Sequence, residues 1–234
     1  MKIPRDITLL IHFFFDECVP PFIRDRKWFM YLPMKILFGN KANLILNFKD
    51  KFNETGDDEI VNLYKELHDV GIMQRDTDIN TKCLKKLETS IAGKTVLDIA
   101  CGRAYLCDKL SKDYTVTGAD FVIDSSVKKK YPQIKFYDAD ITRLPFKNKQ
   151  FDTVICAHTL EHVRDIHQAV RELRRVTKKR LIIIIPMQRP YKYTFDPHVH
   201  FFPYRHSFLQ FMGKNGLNQE CSNVGGDLFY IEDL

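Results

Sequence analysis

Val96-Leu-Asp-Ile-Ala-Cys-Gly-Arg-Ala-Tyr-Leu106 is the stretch that decides how this chain folds. Its opening residues, with Thr95 ahead of them, form a short β-branched and aliphatic run that reads as a strand. The small residues Ala100, Gly102 and Ala104 follow, and Tyr105-Leu106 opens a helix. A strand that enters a small-residue loop and then a helix lets a ligand approach the backbone at the carboxyl edge of a parallel sheet. Asp98 sorts the candidate ligands. A carboxylate at that strand end repels a pyrophosphate, and no G-x-G-x-x-G loop is present, so a dinucleotide fits poorly. A ligand carrying an ammonium and a sulfonium fits well.

Outward from this loop the chain alternates between strands and helices. Strands are expected at 95–99, 115–119, 135–137, 153–156 and 181–185, the last apolar throughout, as a strand covered on both faces should be. The clearest helix is 165–176, where Ile166, Ala169, Val170, Leu173 and Val176 make one apolar stripe. A helix at 206–214 is expected to end at Gly216 as its cap, followed by strands at 218–223 and 227–231. Such alternation implies an α/β fold with a mainly parallel sheet and helices on both faces. Upstream of Gly93, a helix is expected over 80–87. Another starts at Thr55-Gly-Asp-Asp-Glu59, with Ile60, Tyr64 and Leu67 at helical spacing. The chain accordingly divides into a helical N-terminal extension or lid, 1–88, and a core, 89–234.

Two further acids stand at strand ends. Asp120 ends the second strand, where a carboxylate can accept both ribose hydroxyls. Asp140 follows the third, where a side-chain acceptor can take the exocyclic amine of an adenine. Singly, each acid is more often a loop or cap residue. At three successive strand ends, the three together favour a nucleoside with a cationic tail.

These motifs carry a resemblance. The 96–106 stretch resembles the first motif of the class I S-adenosylmethionine-dependent methyltransferases, and Asp138-Ala-Asp-Ile-Thr-Arg-Leu-Pro-Phe146 resembles their third-strand region. Phe151-Asp-Thr-Val-Ile-Cys-Ala-His-Thr-Leu-Glu-His-Val163 resembles the fourth-strand motif of the small-molecule branch. The resemblance implies a seven-stranded Rossmann-like sheet with its last strand antiparallel, and S-adenosyl-L-methionine as cofactor. It implies cofactor contacts at Asp98, Ala100, Cys101, Gly102, Asp120, Phe121, Asp140, Ile141, Ala157 and His158, with His158 beside the methionine end. The chain departs from the family where Ala100 and Ala104 replace two usual loop glycines, which adds methyl groups and restricts the backbone. By analogy, Tyr64 and its helix close over the cofactor. DNA is not an expected substrate: Ala157-His-Thr-Leu stands where amino-DNA methyltransferases carry Asn/Asp-Pro-Pro-Tyr/Phe, and no cytosine-C5 cysteine pair is present.

The segment 186–206 falls where such enzymes build the acceptor pocket. Methyl transfer from sulfonium is an in-line displacement that neutralises charge, so positioning and desolvation supply most of the acceleration. A hydroxyl acceptor also needs a base, for which histidine is suited. His158, His198 and His200 are the candidates. His198 and His200 would face one way on an extended segment and, with Asp196 or His206, offer metal-ligand types. The preferred reading is that they hydrogen-bond the loop into the next helix, with no metal. His162 is read as structural.

The bulk properties fit an ordinary soluble protein. Hydrophobic residues make up 44% and charged residues 28%, and the net charge of +6 comes from scattered Lys and Arg, so no nucleic-acid stripe is demanded. The Lys128-Lys-Lys run reads as a solvated helix end. The six cysteines show no CxxC pair or zinc spacing, and most sit in apolar stretches, which reads as a reducing, cytoplasmic setting. The apolar run 7–15 has Lys2 and Arg5 ahead of it. Asp16 and Glu17 follow at once and no cleavage site appears, so export is not expected.

The first fifty or so residues are rich in aromatics, among them Phe13, Phe14, Phe15, Phe22, Trp28, Phe29, Tyr31, Phe38 and Phe48, interleaved with Arg24, Arg26, Lys27, Lys35 and Lys41. Pro20-Pro21 and Pro33 are expected to break the segment into short helical pieces. The preferred reading packs these aromatics on the main domain as a lid or dimer face; the other is peripheral contact with anionic membrane or a lipid-linked substrate. The expected activity is methyl transfer to O or N of a small-molecule, lipid-linked or glycan-precursor acceptor. The rival readings are an RNA or protein methyltransferase and a non-catalytic cofactor-binding partner. Oligomeric state is left open.

Overall fold

The β-branched runs extend as strands β1 (Thr95–Ile99), β2 (Thr115–Asp120), β3 (Lys135–Asp138), β4 (Phe151–Ala157), β5 (Thr177–Pro186), β6 (Asn218–Val224) and β7 (Asp227–Asp233). Among the described residues these seven form one sheet in the order β3-β2-β1-β4-β5-β7-β6. The pairs β1–β2, β1–β4, β2–β3 and β4–β5 are parallel. Strand β7 runs antiparallel to both neighbours. The expected seven-stranded Rossmann-like sheet with an antiparallel last strand is therefore the observed one. The computed structural model describes residues 10–11, 13–56, 76–214 and 217–234.

Side-chain alternation along these strands builds two core layers. Leu97, Ile99, Val154, Cys156, Leu181, Ile183 and Ile185 pack on one face with Ile166, Ala169, Val170, Leu173 and Val176 of helix Ile166–Val176. Val96, Ile155, Ile182, Ile184 and Phe229 pack on the other, with Cys83 and Leu87 of helix Thr81–Ser90 and Leu106, Cys107 and Leu110 of helix Tyr105–Leu110. Strand β5 is buried from Leu181 to Ile185, which explains its unbroken aliphatic run. Helices Ile166–Val176 and Thr81–Ser90 begin on side-chain caps: Asp165 accepts from the Gln168 amide, and Asn80 from those of Lys82 and Cys83. Five of the six cysteines are buried; Cys18 is exposed.

The chain forms two compact units, one of Met1–Arg75 with Gln188–Phe201 and the other of Asp76–Met187 with Phe202–Leu234. The sheet belongs to the second. The first has its own apolar core, in which Phe15, Met30, Met34, Phe38, Phe48 and Phe52 meet Tyr191, Tyr193 and Phe195 from the later segment. Arg24 donates to the Pro190 carbonyl, the Lys192 amide donates to Asp25, and Lys49 donates to the Tyr191 carbonyl. Residues 188–201, read from sequence as an acceptor loop of the core, are thus built into the N-terminal unit.

Two local expectations are corrected. Pro33 does not break its helix, which runs Lys27–Phe38; burial of Met30, Met34 and Phe38 on one side holds the turns around the missing N–H. The break comes at Gly39, whose φ of +56° ends the helix. The later helix runs Arg205–Met212 and is capped by Gly213, at φ +63°, not by Gly216. Tyr64, the helix expected after Thr55 and Gly216 itself lie outside the described residues.

Candidate active site

Parallel strands put their carboxyl ends on one edge, and there the sheet gathers its polar side chains. Asp98 lies one residue from the end of β1, Asp120 ends β2, and Asp140 follows β3. His158 follows β4, and Asp227 joins the same edge because antiparallel β7 sets it opposite Pro186, the last residue of β5.

The loop after β1 has an unusual backbone. Ala100, Gly102 and Ala104 all have left-handed φ values, of 56°, 50° and 61°. Glycine takes this region freely, whereas alanine costs about 1–2 kcal/mol there. This is the physical reason glycines are usual at the two positions where this chain carries alanine. Ala100→Gly should raise the unfolding free energy by up to about 1 kcal/mol, measured by urea denaturation. An unchanged or lower value would mean that the alanine methyl packs well enough to offset the strain. A Cβ placed on Gly102 meets nothing within 4 Å, so there is open room beside the loop.

Asp120 organises this loop. Its Oδ2 accepts from the Gly102 amide at 2.8 Å and its Oδ1 from its neighbour Phe121 at 2.7 Å. Phe121 is exposed next to it. Asp140 is also exposed, and its Oδ1 accepts from the amide and hydroxyl of Thr142, fixing the turn that carries Ile141. Asp98 is buried. The Cys107 thiol donates to its Oδ2 at 3.2 Å. Burial pushes the Asp98 carboxyl up to about 7, against the Cys107 hydrogen bond and with a smaller contribution from Asp120. Cys101 is buried, and its amide bonds the Ala119 carbonyl, tying the loop to β2.

His158 is also held at left-handed φ, 51°, with its amide on the Ile184 carbonyl at 2.8 Å. Its ring lies between two carboxylates of fully buried residues: Nε2 is 3.4 Å from Asp227 Oδ2, and Nδ1 is 3.6 Å from Glu161 Oε1. Burial pulls its pKa down, but Asp227 and Glu161 together outweigh that and hold the imidazole up at about 10. Asn80 closes the network. Its amide donates to Asp227 Oδ2 at 2.7 Å and to the Val224 carbonyl at 2.9 Å, while its carbonyl caps helix Thr81–Ser90. Sequence reading named His158 alone of this group. Glu161, on the 3₁₀ turn Leu160–His162, is only three residues from His158, and the left-handed backbone of His158 turns the two side chains together. Asp227 and Asn80 carry no local signal, because only the register of β7 brings them in.

The residues expected to bind cofactor, Asp98, Ala100, Cys101, Gly102, Asp120, Phe121, Asp140, Ile141, Ala157 and His158, all belong to the sheet-bearing unit. His198 and His200 belong to the other. There His198 is buried, with Nδ1 2.7 Å from Gln188 Oε1.

A sheet of this order with acids on successive strand ends defines the Rossmann-like fold of the class I methyltransferases. Comparison with known proteins agrees: residues 97–185 match the family described as the methyltransferase domain. It is 33% identical over 105 residues to the 2-phytyl-1,4-naphtoquinone methyltransferase of Nostoc punctiforme, a match covering 40% of this chain and 46% of that one. It is 35% identical over 101 residues to the ubiquinone biosynthesis O-methyltransferase of Pseudomonas putida, covering 38% and 42%. The matched segment thus spans less than half the length of either relative. Among solved structures, it is similar to the 1,6-didemethyltoxoflavin-N1-methyltransferase of Burkholderia thailandensis, crystallised with bound 1,6-didemethyltoxoflavin and S-adenosylhomocysteine. The TM-score is 0.56 at 13% identity, covering 75% of this chain and 85% of that one.

Proposed function

We propose that this protein binds S-adenosylmethionine at the carboxyl edge of β1–β4 and transfers its methyl group to O or N of a small-molecule acceptor. The observation that carries this reading is the set of Asp98, Asp120 and Asp140 around a left-handed, small-residue loop with open room at Gly102. A cofactor with an ammonium, a ribose and an adenine matches three acceptors so spaced. It would supply an electrophilic methyl on a sulfonium. Asp120 would hold the ribose hydroxyls, Asp140 with Ile141 the adenine, and Asp98 the field that favours the cationic tail. Quinone-type acceptors come first in a screen, because the relatives' names point to them.

His158 takes a positioning role in this reading rather than that of a base. Between two carboxylates it is held in the protonated form at neutral pH, as a fixed cation with no lone pair to accept a proton.

Calorimetric titration with S-adenosylmethionine and S-adenosylhomocysteine tests the proposal. Micromolar dissociation constants, about −8 kcal/mol, are expected. No binding by folded protein would overturn it.

The pH dependence follows from Asp98. Its folded pKa is raised to about 7, so the carboxyl is protonated below that pH and carries no charge to attract a cation. Affinity should therefore fall about tenfold per pH unit below 7, with proton release on binding near neutrality. Asp98→Asn should bind weakly at every pH and lose this slope. A slope that persists in Asp98→Asn would show that another group is responsible.

A further inference from the structure

Helix Lys27–Phe38 is apolar on both sides. Met30, Met34 and Phe38 face the core of its own unit. Trp28, Tyr31, Leu32 and Ile36 recur at one-turn spacing on the opposite face and are 74%, 41%, 65% and 73% exposed. The preceding turn adds Phe22, 71% exposed. A 12-residue helix that shows water four large apolar side chains along one stripe has a face in need of cover.

Charge indicates what covers it. Residues 26–49 contain five bases, Arg26, Lys27, Lys35, Lys41 and Lys49, and no acid. Lys35 lies on the exposed stripe itself, one turn from Ile36's neighbours, and Lys27 begins the helix. Their ammoniums donate to the neutral amide oxygens of Asn40 and Asn47. Among the described residues, no helix is long and apolar enough to cross a membrane. Aromatic and aliphatic side chains set among lysines that can extend to headgroups are the composition of a helix lying in a membrane surface. Tryptophan and tyrosine favour that interface.

We infer that the Trp28–Tyr31–Leu32–Ile36 face docks on an anionic lipid bilayer. The helix lies in the headgroup layer, with Arg26, Lys27 and Lys35 meeting lipid phosphates. This stands apart from the methyltransferase proposal, since it depends on neither cofactor nor acceptor.

Trp28 is the single tryptophan of the chain, so its fluorescence reads this face directly. Vesicles of phosphatidylcholine with phosphatidylglycerol should shift Trp28 emission to the blue and carry the protein down on sedimentation. Vesicles of phosphatidylcholine alone should bind about tenfold less, and added salt should weaken binding to the anionic ones. Leu32→Glu with Ile36→Glu changes only exposed positions. It should cut partitioning at least about tenfold with unchanged circular dichroism and unchanged S-adenosylmethionine binding. Lys27→Glu with Lys35→Glu should abolish the preference for anionic lipid. No blue shift with anionic vesicles, or equal binding to both vesicle types, would overturn the inference. A blue shift that appears without lipid as protein concentration rises would also overturn it, and would assign the face to a second copy of the chain.

Discussion

Asp120→Ala should weaken S-adenosylmethionine binding by about 100- to 1000-fold, the largest effect expected from a single substitution at the sheet edge. The carboxylate does two things at once. It accepts from the amides of Gly102 and Phe121, holding the loop after β1 against the end of β2. In the proposed complex it also accepts from the ribose. Charge-assisted hydrogen bonds contribute about 1.5–3 kcal/mol each, so losing two at the lower end of that range, about 3–4 kcal/mol, gives the stated loss. Asp120→Asn keeps the shape and one accepting oxygen, so it can hold one of the two loop amides but loses the charge and the second acceptor. It should unfold at a midpoint between those of wild type and Asp120→Ala and still bind poorly in calorimetry. Tight binding by both variants would remove Asp120 from the cofactor site, and another strand end would have to hold the ribose.

Asp227→Ala should destabilise the sheet-bearing unit by about 2–4 kcal/mol in chemical denaturation. It strips one carboxylate from His158 and an acceptor from Asn80. The loss falls toward the lower part of the range for unpairing a buried charge, since Glu161 remains 3.6 Å from Nδ1. Asp227→Asn, which keeps the shape, should cost less. The pH dependence has a definite sign. The folded value of His158, about 10, lies above its unfolded value of 6.5, so its contribution is complete below pH 6.5 and disappears as pH rises through 10. In Asp227→Ala this alkaline loss should move to lower pH, and the ring should titrate nearer neutrality by nuclear magnetic resonance. A wild-type His158 that titrates near 6.5 would show that the two carboxylates do not act on it.

The sheet was readable from the sequence because its strands are short apolar runs with clear punctuation, and β1, the 95–99 run, has the expected bounds. The positions of the three acids were readable because each stands at or just beyond the end of such a run. Two things were not. Pro33 looked like a helix breaker, and only the burial of Met30, Met34 and Phe38 outweighs its local preference. Asp227 and Asn80 lie far from His158 along the chain and meet near it through the antiparallel return of β7, which local pattern does not encode. The partition of His198 and His200 into the other unit was hidden for a related reason: Tyr191, Tyr193 and Phe195 look like pocket-lining aromatics in sequence, yet they fill the core of the N-terminal unit.

That shared core has a consequence for biogenesis. On the ribosome, the helices of the N-terminal unit emerge first, but the strip 188–201 that completes their core comes after β5. At ordinary translation speeds the gap lasts on the order of ten seconds. During that interval Phe15, Phe38, Phe48 and Phe52 lack the partners that later cover them, while β1–β5 are being made. The nascent chain therefore carries a sticky, half-built aromatic cluster while the sheet is made, a natural target for holding chaperones. A truncation that begins at residue 76 would leave Tyr191, Tyr193 and Phe195 with nothing to pack against.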